Sequence, residues 1–145
     1  MPRQILVGAV LIVAVCLIPA GCGGEDAEPR PGSTTVTGQV LRYYAALARG
    51  NGEAACDVLT EQAAGGFEAV LSGPVSPECE ANIEALSRVS VLEGRPRVTR
   101  VKRVGEQATA HVTFENPRLE SDVVLAREDD VWKLSQLPAV LEPTP

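Results

Sequence analysis

Apolar residues recur along the chain at two different periods, and the change from one to the other divides it. From Thr35 to Arg49, the residues Val36, Val40, Tyr43, Tyr44 and Leu47 return at helical spacing, with Ser33, Thr34 or Thr35 available as the cap. Arg49-Gly50 ends that helix. Asn51 caps a second, in which Glu53 suits the positive N-terminal end and Ala55, Cys56, Leu59 and Ala63 share one face. Thr60 interrupts the second helix and caps a third that carries Ala64, Phe67, Val70 and Leu71. Gly65-Gly66 weakens the third helix, since each glycine costs up to about 1 kcal/mol relative to alanine. Beyond the break at Ser72-Gly73-Pro74, Ser76-Pro77-Glu78 opens a fourth helix that runs to about Arg88 with Cys79, Ile83 and Leu86 on one face.

After Glu93-Gly94-Arg95-Pro96 the period becomes two. Arg97 to Val104 and Gln107 to Glu115 form a hairpin if Gly105-Glu106 is its two-residue turn, because glycine at the first position suits a type II′ turn. In that register Arg103 faces Ala108, Val101 faces Ala110, Thr99 faces Val112 and Arg97 faces Phe114. The core face is then Thr99, Val101, Ala108, Ala110, Val112 and Phe114, and the outer face is Val98, Arg100, Lys102, Gln107, Thr109, His111 and Thr113. Asn116-Pro117 ends the strand. A second hairpin around Asp129-Asp130 pairs Leu125 with Leu134, turning Val123, Leu125, Trp132 and Leu134 inward and Lys133 and Ser135 outward. Helices followed by antiparallel strands define an α+β class with the helices packed on one sheet face.

The first 22 residues follow another logic. Ile5 to Ile18 is an uncharged run of fourteen residues behind Arg3, short for a membrane span and the right length for the apolar core of an export signal. The ending Pro19-Ala20-Gly21-Cys22 resembles a bacterial lipobox, departing from it at Pro19, where an aliphatic residue is usual. That resemblance implies cleavage before Cys22, a lipid on Cys22, and a protein held on the extracytoplasmic face of the cell membrane. The chain then divides into a signal at 1–21, a tether at 22–34, one domain at 35–141 and a tail at 142–145. Gly23 to Gly32 has no apolar periodicity, and ten such residues reach only about 15–20 Å, which keeps the domain near the bilayer.

Export changes how the charges and cysteines read. Loss of Arg3 leaves twelve basic against nineteen acidic residues, a net charge of −7, which argues against nucleic acid as a partner. Of the four cysteines, Cys16 leaves with the signal and Cys22 carries the lipid, so Cys56 and Cys79 remain as an even pair in an oxidising compartment. A disulfide is the natural expectation. The alternatives are two buried thiols or a metal pair, the last disfavoured because there is no CxxC spacing and a single histidine, His111.

The Tyr-Tyr-Ala-Ala-Leu-Ala-Arg-Gly-Asn-Gly stretch at 43–52 and the closing Glu128-Asp129-Asp130-Val131-Trp132-Lys133-Leu134 resemble the NTF2-like superfamily, over roughly Thr35 to Leu137. The likeness is closest to small bacterial NTF2-like lipoproteins. It implies helices on a curved sheet forming a cone with a pocket, with Tyr43, Tyr44, Asp57, Phe114 and Trp132 as candidate lining residues. The same cone serves enzymes and inert binding modules, so the fold alone does not choose a function.

The residues favour a non-catalytic module that binds a small apolar ligand or an envelope partner, with no cofactor and with a homodimer admitted. The competing reading is an enzyme of the ketosteroid-isomerase or polyketide-cyclase kind using a pocket aspartate, Asp57, and a tyrosine. Against it, the inner strand face carries no acid, and His111 is expected on the outer face beside Arg100, Thr109 and Thr113 with no carboxylate to orient it. Arg95, Arg97, Arg100, Lys102 and Arg103 place five cations in nine positions of an acidic chain. They read either as a charged strand protected from edge pairing or as a contact for lipid headgroups or an anionic envelope polymer.

Overall fold

The computed structural model describes residues 34–71, 73–89, 94–115 and 119–138; the signal, Cys22, most of the tether and the tail beyond 138 lie outside the described residues. Helices α1 (Val36–Ala48), α2 (Gly52–Cys56), α3 (Glu61–Ala64) and α4 (Cys79–Val89) precede strands β1 (Arg97–Val104), β2 (Gln107–Thr113), β3 (Glu120–Glu128) and β4 (Val131–Leu134). The strands form one antiparallel sheet in the order β1-β2-β3-β4. The α+β class and its order of elements therefore hold.

Local chemistry sets several of the helix ends. The Thr35 hydroxyl accepts from the Gly38 N–H at 3.1 Å, and the Asn51 side chain accepts from the Ala54 N–H at 3.1 Å. At the end of α1, Gly50 takes φ 63°; its N–H reaches the Leu47 carbonyl at 3.0 Å and that of Asn51 reaches Ala46 at 2.9 Å. This left-handed glycine and its paired bonds satisfy carbonyls that the helix would otherwise leave open. Before α4, the Ser76 hydroxyl accepts from the Glu78 N–H at 3.1 Å, while the buried Asn82 amide bonds both backbone groups of Ser76, at 2.8 and 2.7 Å.

Two helical expectations need correction. α2 stops at Cys56 instead of continuing to Leu59, because Val58 to Thr60 turn to pair with β4: Leu134 N–H donates to the Val58 carbonyl at 2.8 Å and Thr60 N–H to the Leu134 carbonyl at 2.9 Å. The third helix is also split. α3 is four residues long, capped by Thr60 as expected, and Gly65-Gly66 separates it from a 3₁₀ turn at Phe67–Ala69 that still buries Phe67.

The hairpin at Asp129-Asp130 pairs Leu125 with Leu134, as the alternation required, and both aspartates take left-handed backbone (φ 47° and 64°). The hairpin at Gly105-Glu106 holds its expected register from Arg103↔Ala108 to Arg100↔His111. It then slips. A bulge between Val98 and Arg100 pairs Val98 with Val112 and Arg97 with Thr113, so Val98 turns inward and Thr99 is exposed, the reverse of the expected faces. A strict period of two cannot announce one extra residue, but the slip packs a half-buried valine against the core in place of a threonine.

The core lies between α1 and the inner sheet face. Val36, Val40, Tyr43, Tyr44 and Leu47 from the helix meet Ala108, Ala110, Val112, Val123, Leu125 and Leu134 from the sheet, all buried. Ile83 and Leu86 of α4 and Phe67 complete it. A disulfide joins Cys56 at the end of α2 to Cys79 at the start of α4, with Cα atoms 6.2 Å apart. The same two helices approach so closely that a β-carbon on Gly52 would stand 2.7 Å from the Glu80 backbone.

Two stability predictions follow from that pair of helices. Replacing both cysteines, Cys56→Ala with Cys79→Ala, is expected to lower the unfolding free energy by about 2–4 kcal/mol, read from urea denaturation. Gly52→Ala forces α2 and α4 apart and is expected to cost about 1–3 kcal/mol in the same assay, with the disulfide intact.

Candidate functional site

The sequence-marked residues separate into an interior group beneath α1 and a charged group on the outer sheet face. In the interior, Tyr43 and Tyr44 meet edge to face at 5.4 Å, and Tyr44 meets Phe114 in the same manner at 5.3 Å. Burial is the main reason both phenols hold their protons: it pushes Tyr44 up to about 12 and Tyr43 further still, with the neighbouring Tyr44 adding to the rise at Tyr43. The Ser121 side chain lies close enough to oppose part of the rise at Tyr44, but the Tyr44 hydroxyl has no hydrogen-bond partner of good geometry. Gln39, also buried on α1, leaves its side-chain oxygen unpaired as well. An unpaired buried polar atom loses its bonds to water without replacing them.

Trp132 is inward as expected, and the Arg103 guanidinium lies 5.9 Å from its ring centroid. Asp57 is not with them. It is exposed at the end of α2, and its carboxylate pairs with the Arg42 guanidinium at 2.7 Å, so it cannot act inside the core with either tyrosine. The reason is geometric: α2 ends one residue earlier, and its buried face is taken by Gly52 and Ala55.

On the outer face the expected surroundings of His111 are also corrected. Its cross-strand neighbours are Arg100 on β1 and Asp122 on β3, with the Asp122 carboxylate 2.8 Å from Nδ1 and the Glu120 carboxylate 3.6 Å from Nε2. Carboxylates therefore do flank this ring. They escaped the sequence reading because the loop between β2 and β3 is not a two-residue turn and does not set a register; the alternation Glu120, Asp122 against Ser121, Val123 was the available signal. Gln39 was likewise legible, lying three residues after Val36 and four before Tyr43 on the buried stripe.

Of the five clustered cations, Arg97, Arg100 and Lys102 share the outer face of β1, Arg95 precedes the strand, and Arg103 turns to the inner side over Trp132. Among the described residues, no group of three or more histidine, cysteine or acidic side chains is placed to hold a metal ion. No helix among them is long and apolar enough to cross a membrane. No protein-family model matches the chain, and no curated protein sequence matches it.

The tyrosines give a prediction with a definite sign. Unfolded tyrosine titrates near 10.0, whereas these two remain protonated to higher pH in the fold. The unfolded state thus releases protons first, and stability that is full below about pH 10 falls as pH rises toward the folded-state values, by about 1.4 kcal/mol per pH unit for each tyrosine. Tyr44→Phe is expected to leave stability at pH 7 unchanged or raised, because it removes an unpaired hydroxyl, and to flatten the alkaline decline measured by urea denaturation between pH 9 and 11.

Proposed function

We propose that the chain is an extracytoplasmic, lipid-anchored lipoprotein of the NTF2-like kind whose domain is a non-catalytic binding or scaffold module for a small apolar ligand or an envelope partner. The observation that carries this reading is the character of the interior. Its buried side chains are mainly apolar, and among the described residues the buried phenols Tyr43 and Tyr44 are held neutral far above physiological pH. General acid–base chemistry works best with a group whose pKa lies near the operating pH. The unpaired Tyr44 hydroxyl and Gln39 oxygen supply hydrogen-bonding capacity that can orient a mainly apolar guest.

The membrane part of the proposal rests on the short apolar run and on Ala20-Gly21-Cys22. It is supported by the Cys56–Cys79 disulfide, since such bonds persist in oxidising compartments. The isomerase-like or cyclase-like alternative loses its aspartate to the Arg42 ion pair at the surface.

Labelled palmitate is expected to enter the wild-type chain in its bacterial host and to be absent from Cys22→Ser, and native mass spectrometry of the purified wild-type protein is expected to find a bound apolar molecule or envelope protein. Label retained in the mutant overturns the anchor. An isomerase or cyclase activity that disappears in Asp57→Asn with the fold intact overturns the non-catalytic reading.

A further inference from the structure

The two edges of the sheet differ. β4 is closed by Val58 to Thr60 through two backbone hydrogen bonds, whereas among the described residues no strand lies beyond β1 in the sheet. A row of unpaired N–H and C=O groups is a template for another strand unless something opposes pairing. β1 carries four cations and no acid, with Arg95 two positions ahead. Arg95, Arg97, Arg100 and Lys102 are exposed and belong to none of the ion pairs among the described residues, in a chain where nineteen acids outnumber thirteen bases. Of the β3 acids on the outer sheet face, Glu120 and Asp122 turn to His111 instead, and Glu128 lies at the far end of the strand. Among the described residues, an open sheet edge and the unneutralised charge of Arg97, Arg100 and Lys102 therefore coincide on one strand.

We infer that the β1 edge is a docking site for an extended acidic segment of a partner polypeptide, which adds to the sheet as a fifth strand. Charge selects the occupant. A second copy pairing β1 against β1 would set cations opposite cations, which destabilises the pair. An anionic bilayer laid on the outer face would meet Glu120 and Asp122 as well as the cations, whereas a strand laid along the edge meets β1 first. Main-chain hydrogen bonds supply affinity in this mode of recognition, and the side chains supply specificity. The inference deepens the scaffold reading by naming the partner's chemistry, and it needs neither lipid attachment nor an interior ligand.

The test uses the full chain in neutral maltoside micelles and an end-blocked heptapeptide alternating glutamate and valine. Hydrogen exchange followed by mass spectrometry is expected to show protection of residues 97–104 on peptide addition and no change in β4. The glutamine analogue, and a peptide methylated at alternate backbone nitrogens, are each expected to bind at least about tenfold more weakly, as is the R97E/R100E/K102E variant. The milder R100Q/K102Q variant, which leaves the strand charged and soluble, is expected to lose about threefold. Equal binding of the glutamine or methylated peptide overturns the inference. So does protection of 97–104 by phosphatidylglycerol vesicles but not by the peptide, or protection in the free protein that E25Q/D26N/E28Q abolishes, which would place the chain's own acids on the edge. Failure of the peptide leaves the search for an interior ligand by native mass spectrometry untouched, so the two readings fail separately.

Discussion

The seating of α1 on the inner sheet face is the contact on which the rest of the domain depends. A thirteen-residue helix with one apolar stripe is marginal alone, and a four-stranded sheet with one apolar face must bury that face against another element. Together they bury Val36, Val40, Tyr43, Val112, Val123, Leu125 and Leu134 almost completely, and full burial of a large apolar side chain contributes about 1.5–3 kcal/mol. Both ends of α1 are fixed locally, by the Thr35 hydroxyl at the start and the left-handed Gly50 at the end, so the helix has a defined length as well as a defined face. The phenols of Tyr43 and Tyr44 are raised because this contact is dry.

The short helices are held by different means. α2 has five residues and α3 four, too few to persist through their own hydrogen bonds. The Cys56–Cys79 bond and the close approach at Gly52 fasten α2 to α4, while Val58 to Thr60 attach the following segment to β4 through backbone hydrogen bonds. That attachment has two consequences at once. It ends α2 at Cys56, and it closes one sheet edge, while among the described residues no strand adds to the other.

Charge is distributed along the same division. Acids stand in the first turns of α2, α3 and α4, and Asp57 at the end of α2 pairs with Arg42, while every charged residue of β1 is basic. On the outer face His111 stands between the basic strand and the acidic positions of β3 and draws Asp122 and Glu120 toward itself. These are exposed or half-exposed interactions, and their effect on stability is small. Their geometric effect is clearer, because His111 takes the Asp122 and Glu120 carboxylates of β3 to itself.

Much of the fold was legible in the sequence because it rests on local rules. The helical stripe of α1, the caps at Thr35, Asn51 and Thr60, the start at Ser76-Pro77-Glu78 and both hairpin turns follow from side-chain spacing and turn chemistry within a few residues of each other. The pairing of Cys56 with Cys79 followed from counting and from their place on apolar helix faces. What escaped depends on neighbours distant along the chain. The bulge that exchanges Val98 for Thr99 reflects packing against the core, not any change in β1 itself. The early end of α2 requires the β4 edge, distant along the chain but joined to it by the hydrogen bond from the Leu134 N–H to the Val58 carbonyl. The carboxylates beside His111 depend on a β2–β3 register that no tight turn announces. Sequence by itself determined which faces are apolar and where the chain turns; only tertiary structure decided which charges meet, because side-chain electrostatics acts through space between strands whose alignment the intervening loops leave open.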